Sequence, residues 1–215
     1  MDEQNLTIKQ SLVLYFYHHT YLFKVALSSC RKSLKPRHIH DLRLALKNLT
    51  ALLLLLHELE PRKKINPWNP DKLNRLFRIM GELRDIQVLQ SELKKKEKIL
   101  KIRFSGFRKI IRNDEKALSG KLKPMLRIAK YETELQGVKS YMERVTEKSG
   151  GEAVLEKRIL KYILRSWKEI RVMMTRPHTA RNLHSIRIDL KHINYILMVL
   201  KQKGLMAGKE RYDRE

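Results

Sequence analysis

Residues 37–56 read RHIHDLRLALKNLTALLLLL, and residues 181–200 read RNLHSIRIDLKHINYILMVL. Shifted by 144 positions, Arg37 falls on Arg181, His40 on His184, Arg43 on Arg187 and Lys47 on Lys191. Leu46, Leu53 and Leu56 meet Leu190, Leu197 and Leu200, while Leu42 and Leu49 meet Ile186 and Ile193. A repeat that keeps polar and apolar positions in register constrains the fold strongly, because both copies have to form the same element. At 100° per residue, Arg37, His40, Arg43 and Lys47 share a stripe about 120° wide. Leu42, Leu46, Leu49, Leu53 and Leu56 fall on the opposite side. Each copy is an amphipathic helix with one apolar face and one cationic line.

Helical periodicity persists through the remaining chain and no strand-type alternation does. The pattern predicts helices over about 5–33, 37–60, 70–98, 100–117, 122–148, 152–175 and 179–202. KPR (35–37), EPRKKINPWNP (60–70), SGKLKP (119–124), SGG (149–151) and RPH (176–178) supply the breaks. Segments 5–33 and 152–175 also align as helices at the 144-residue offset. The expectation is an all-α fold of two related antiparallel bundles, each opening with a helical hairpin. The first bundle spans 5–118, the second 122–203, and 204–215 form a polar tail.

Forty-seven Lys and Arg against 23 Asp and Glu leave a formal charge of +24. That excess points to a polyanionic partner: nucleic acid, an anionic membrane or a phosphate polymer. The single Cys30 excludes an intramolecular disulfide and a Cys-rich zinc site. The start MDEQNLTIKQ has the wrong polarity for a secretory signal, and the apolar run ALLLLL (51–56) is far short of the ~20 residues a membrane span needs. A cytoplasmic protein without membrane insertion is expected. His18/His19 and His38/His40 lack the i, i+4 spacing of helical metal ligands, and His184 and His192 lie two turns apart. No P-loop, nucleophile elbow or paired carboxylates stand out, so neither an enzyme nor a cofactor is expected.

The stripes suit phosphate. Arg offers a planar fork of donors, Lys a mobile point charge, and His a donor once protonated, so binding is expected to tighten toward pH 6. Farther along, in LFRIMGELRDIQVL (76–89), Arg78 and Asp85 project to a helix flank, whereas Arg84 projects among apolar residues. Arg84 therefore either belongs to a structural Arg/Asp network or reaches the basic surface. Gly81 is expected to permit close helix approach. FSGFRKIIR (104–112) adds Arg108 without repeat support, and RKK (62–64) and KKKEK (94–98) read as solvated charge. Two alternatives stay open. A nucleic-acid binder has the charge, but the stripes lack aromatics for stacking and Asn or Gln for base edges. An accessory subunit of phosphate-compound metabolism is the other.

The His-x-x-Arg-x-x-x-Lys motif at 40–47, its duplicate at 184–191 and GELRDIQVL (81–89) together resemble the CHAD domain, the conserved histidine α-helical domain, from about residue 5 to 203. The resemblance implies two four-helix bundles related by a pseudo-twofold axis, with the basic helices lining a central groove. It also implies binding of inorganic polyphosphate, often at polyphosphate granules, by Arg37, His40, Arg43, Lys47, Arg78, Arg84, Arg108, Arg181, His184, Arg187 and Lys191. Many members are fused to a CYTH triphosphatase domain, whose ExExK signature is absent from this sequence. The helix at 70–98 has no counterpart at the repeat offset, so the second bundle is expected to be short of a helix. A leucine face left exposed on 179–202 would call for a covering partner, a second copy of the chain being the candidate.

Overall fold

A computed structural model of the chain describes residues 6–60, 70–128, 131–148, 150–176 and 179–201. Among them run seven helices and no strand: α1 (Ile8–Lys32), α2 (Pro36–Leu59), α3 (Pro70–Leu100), α4 (Ser105–Ile128), α5 (Tyr131–Glu147), α6 (Glu152–Met174) and α7 (Ala180–Lys201). The all-α expectation holds. Pro36 opens α2, where its missing N–H costs nothing and its fixed φ suits the first turn. Gly150 and Gly151 join α5 to α6 with φ of 80° and 104°, the left-handed region that side chains with a Cβ avoid. The EPRKKINPWNP break falls mostly on 61–69, outside the described residues.

One predicted break is wrong. SGKLKP does not end a helix: α4 runs through it to Ile128 with Pro124 inside. The ring of Pro124 faces the carbonyl of residue 120, four positions earlier, a conflict that costs about 3 kcal/mol in an ordinary helix. Residue 120 is a glycine with open space where a Cβ would stand. Ile111, Leu122 and Leu126 lie on one face and are all buried. Burying an aliphatic side chain is worth about 1.5–3 kcal/mol, so carrying the helix past the proline wins. The linker expected at 119–121 is therefore helical.

Contacts divide the chain into two compact units, one of residues 1–19, 47–65 and 136–215, the other of 20–46 and 66–135. The repeat divides the chain in sequence order, whereas the contacts divide it across α1 and α2, each of which gives residues to both units. In the second unit α3 packs on α4, Phe23 meets Tyr131 edge-on with ring centroids 5.3 Å apart, and Arg31 Nε donates to the Leu126 carbonyl at 2.8 Å. In the first, α6 packs on α7 around Ile170, Ile186 and Ile193. The Glu152 carboxylate, opening α6, accepts the Ile8 N–H that opens α1 at 2.5 Å. That contact satisfies one of the orphan donors of a helix start.

The apolar face read from the first motif is buried at every position: Leu42, Leu46, Leu49, Leu53 and Leu56. Its copy is not. Ile186, Ile193 and Leu200 are buried on α7, but Leu190 and Leu197 are exposed. The projection places those two at one edge of the apolar arc, and the buried residues Ile186, Ile193 and Leu200 occupy its other side.

Candidate functional site

The first motif occupies the opening turns of α2. Arg37 is exposed, with Nε 3.8 Å from the Asp41 carboxylate one turn later. A pair so open to water is worth little and leaves the guanidinium available. His40 is exposed and Arg43 half-buried. From there Arg43 Nη1 donates to the Phe77 carbonyl on α3 at 3.2 Å. Burial pushes the Arg43 guanidinium below its ordinary value; Asp85 opposes that shift and Arg84 adds to it. Helix α3 thus brings Phe77, Gly81, Arg84 and Asp85 around one arginine of α2.

Gly81 acquires a specific reason here. A Cβ built on it would stand 2.8 Å from Arg43 Nη1. The glycine makes room for a guanidinium rather than for a neighbouring backbone, which corrects the helix-approach expectation. Arg84 is half-buried, and its effect on Arg43 places it beside the basic stripe. Arg78 is exposed on α3, 4.0 Å from Glu82.

Arg108 is committed elsewhere. Its Nε donates to both Glu97 carboxylate oxygens at 2.9 Å, and its Nη2 donates to Oε2 as well. Glu97 also accepts the Phe104 N–H at 2.9 Å. The carboxylate therefore ties the end of α3 to the start of α4. The hydrogen bond from Arg108 holds the Glu97 carboxyl below the usual range and raises Arg108 in turn. Geometry assigns this arginine a structural task.

The second motif lies in the other compact unit. His184 and Arg187 are exposed on α7, Lys191 is half-buried, and the side chain of Arg181 lies outside the described residues. Lys47 belongs to this unit too, half-buried and already partnered. The structure thus groups Arg37, His40, Arg43, Arg78 and Arg84 in one unit and Lys47, His184, Arg187 and Lys191 in the other.

Other histidines are built into the fold. His19 is half-buried, 3.2 Å from Asn48 Nδ2 through its Nδ1, and burial with a smaller push from His18 lowers it to about 4. His57 sits 3.2 Å from the Tyr141 hydroxyl, and burial lowers both it and His192. No group of three His, Cys, Asp or Glu converges among the described residues as metal ligands would.

Sequence reasoning passed over a further basic cluster. A cavity of about 570 Å³ is lined by Lys148, Arg158, Lys161 and Arg165 together with Glu58 and Glu60. RILKYILR (158–165) carries three of those cations at spacings of three and four, which is the signal that marks them. Two are already engaged. Arg158 Nη1 donates to the Leu59 carbonyl at 3.0 Å, and Arg165 Nη2 to Glu58 at 2.5 Å. Leu59 closes α2, so Arg158 answers an orphan carbonyl and the negative end of the helix dipole.

Arg43 of α2 and the GELRDIQVL segment of α3, both of which looked distinctive in the sequence, meet, with His40 exposed farther along the same stripe. No curated protein and no solved structure matches the chain. The family model described as CHAD domain matches residues 24–209, most of the 215 residues, and the chain belongs to that family.

Proposed function

We propose that this protein binds inorganic polyphosphate, or a comparable extended polyanion, without turning it over. The observation that carries the reading is the seating of Arg43. Its guanidinium is half-desolvated and held by the Phe77 carbonyl beside Arg84, with exposed Arg37 and His40 on the same stripe. A cation already ordered loses less entropy on meeting a phosphate oxygen, and partial burial strengthens the resulting bond. The duplicate on α7 offers His184 and Arg187 exposed, which suits a ligand long enough to need many donors. Charge-assisted hydrogen bonding with counterion release is the mechanism. On this reading both stripes serve the same extended ligand, and the protein works beside polyphosphate in the cytoplasm.

Double substitution Arg43→Glu with Arg187→Glu reverses charge on both stripes. Affinity for a long polyphosphate, measured by titration at fixed salt, is expected to fall at least tenfold, about 1.4 kcal/mol, with helicity by circular dichroism unchanged. Undiminished binding by that folded variant would refute the assignment. Net charge alone would serve nucleic acid as well, so polyphosphate and duplex DNA should compete at matched phosphate and salt; preference for DNA would move the reading to that partner. Release of inorganic phosphate during the titration would point instead to a role in phosphate-compound metabolism.

A further inference from the structure

The 144-residue repeat permits a position-by-position comparison of exposure. Phe16, Phe23, Cys30, Ile39, Leu46 and Leu53 are buried on α1 and α2. Their counterparts on α6 and α7 are Leu160, Trp167, Met174, Leu183, Leu190 and Leu197, and all six are exposed. Phe23 shows 0% of its surface where Trp167 shows 49%, and Leu46 0% where Leu190 shows 41%. A face built to core composition stands open on the α6–α7 hairpin.

Helical projection places these residues together. With Leu160 at zero, buried Leu155, Ile159 and Ile170 span about 220–280° on α6, and Leu160, Leu164, Trp167 and Met174 run from about 320° to 40°. Lys157, Lys161 and Lys168 follow at about 60–100°, and Arg171, at about 20°, is the one cation inside the apolar strip of α6. On α7, with Leu183 at zero, the order is the same: buried Ile186 and Ile193, exposed Leu183, Leu190 and Leu197, then Arg187, Lys191 and His184. The helices are antiparallel neighbours joined by 175–179, so equal offsets from their contact bring both apolar strips to one side. The result is an apolar ridge with cations along both outer edges. Glu156 is the one carboxylate within the α6 strip among the described residues, and it is already partnered.

We propose that this ridge docks on an anionic lipid surface, Leu160, Leu164 and Trp167 entering the headgroup–acyl boundary while the flanking Lys and Arg meet lipid phosphates. Charge selects this occupant. A second copy of the chain would bring two cationic rims together, whereas anionic headgroups neutralise them, at about 1 kcal/mol for each Lys or Arg near the surface. Tryptophan and leucine beside lysine and arginine is the composition of helices that lie on membranes. No described helix is long and apolar enough to cross one, so the contact is peripheral. The apolar strip is distinct from Arg43 and its α3 neighbours, although its α7 rim of His184, Arg187 and Lys191 is also the second stripe of the polyphosphate reading.

The chain has two tryptophans, Trp68 and Trp167, so Trp68→Phe leaves Trp167 as sole reporter. Its emission should shift to the blue, and be quenched by lipids brominated on the acyl chains, with vesicles of phosphatidylcholine and phosphatidylglycerol but not of phosphatidylcholine alone. Leu164→Gln with Leu190→Gln should lower partitioning by roughly tenfold with helicity and polyphosphate affinity unchanged, and Arg43→Glu should leave Trp167 quenching intact. Vesicle adsorption without Trp167 quenching would overturn the proposal, showing attraction by charge alone. So would a failure to bind vesicles, or a dimer in light scattering that the double leucine variant dissociates.

Discussion

Arg43 depends on a residue without a side chain. Gly81 costs α3 about 1 kcal/mol relative to alanine, and the space it leaves holds Arg43 Nη1. Gly81→Ala should therefore raise the melting temperature slightly, because the flexible guanidinium can withdraw. Polyphosphate affinity should fall several-fold, as titration would read; unchanged affinity would mean that the seat of Arg43 does not matter. Histidines divide by environment: His40 and His184 are exposed on the stripes, whereas His19 is lowered to about 4 by burial. For His19 the unfolded chain takes up a proton near 6.5 and the folded one only near 4. Its contribution to stability is complete above pH 6.5 and lost progressively as pH falls from there to 4. Melting temperature should decline over that window, and His19→Gln should flatten the decline. The sequence showed which residues stood on the stripe. That Arg43 would be the seated one depended on the Phe77 carbonyl, whose position no side-chain pattern encodes.

Among the elements, the α3–α4 turn shows a basic residue doing structural work. Glu97 has 5% of its side chain exposed while binding both Arg108 and the Phe104 N–H, so the carboxylate needs both donors. Its carboxyl titrates below the usual range. The clamp is therefore complete above ordinary carboxylate pH and opens as pH falls through the lowered value. Glu97→Gln removes the charge but keeps an acceptor; amide exchange over residues 101–108 should accelerate markedly while α6 and α7 keep their protection. Arg108→Ala should reproduce that effect with little loss of polyphosphate affinity. The α4 boundary teaches a related lesson. SGKLKP has the composition of a break, yet Leu122 and Leu126 gain more from burial than Pro124 loses. Local propensity yielded to tertiary packing, as it does wherever burial outweighs it.

For the whole molecule, a formal charge of +24 makes binding a matter of counterions. The logarithm of polyphosphate affinity should fall linearly with the logarithm of salt, and the slope should shrink by roughly one for each phosphate-contacting Arg or Lys removed. A slope unaltered by Arg43→Glu and Arg187→Glu would place contact elsewhere on the surface. By itself the sequence determined the helical class, the duplicated element, the face of α2 that is buried and the strong excess of positive charge. These are properties of spacing and composition, which a periodic backbone converts directly into faces. Tertiary structure decided which cations are spoken for, with Arg108 held by Glu97 and Arg43 seated against α3. It also decided which apolar face stays open, as Leu190 and Leu197 show against their buried counterparts Leu46 and Leu53. A helix repeats its face wherever its sequence repeats, but only neighbouring helices can cover it.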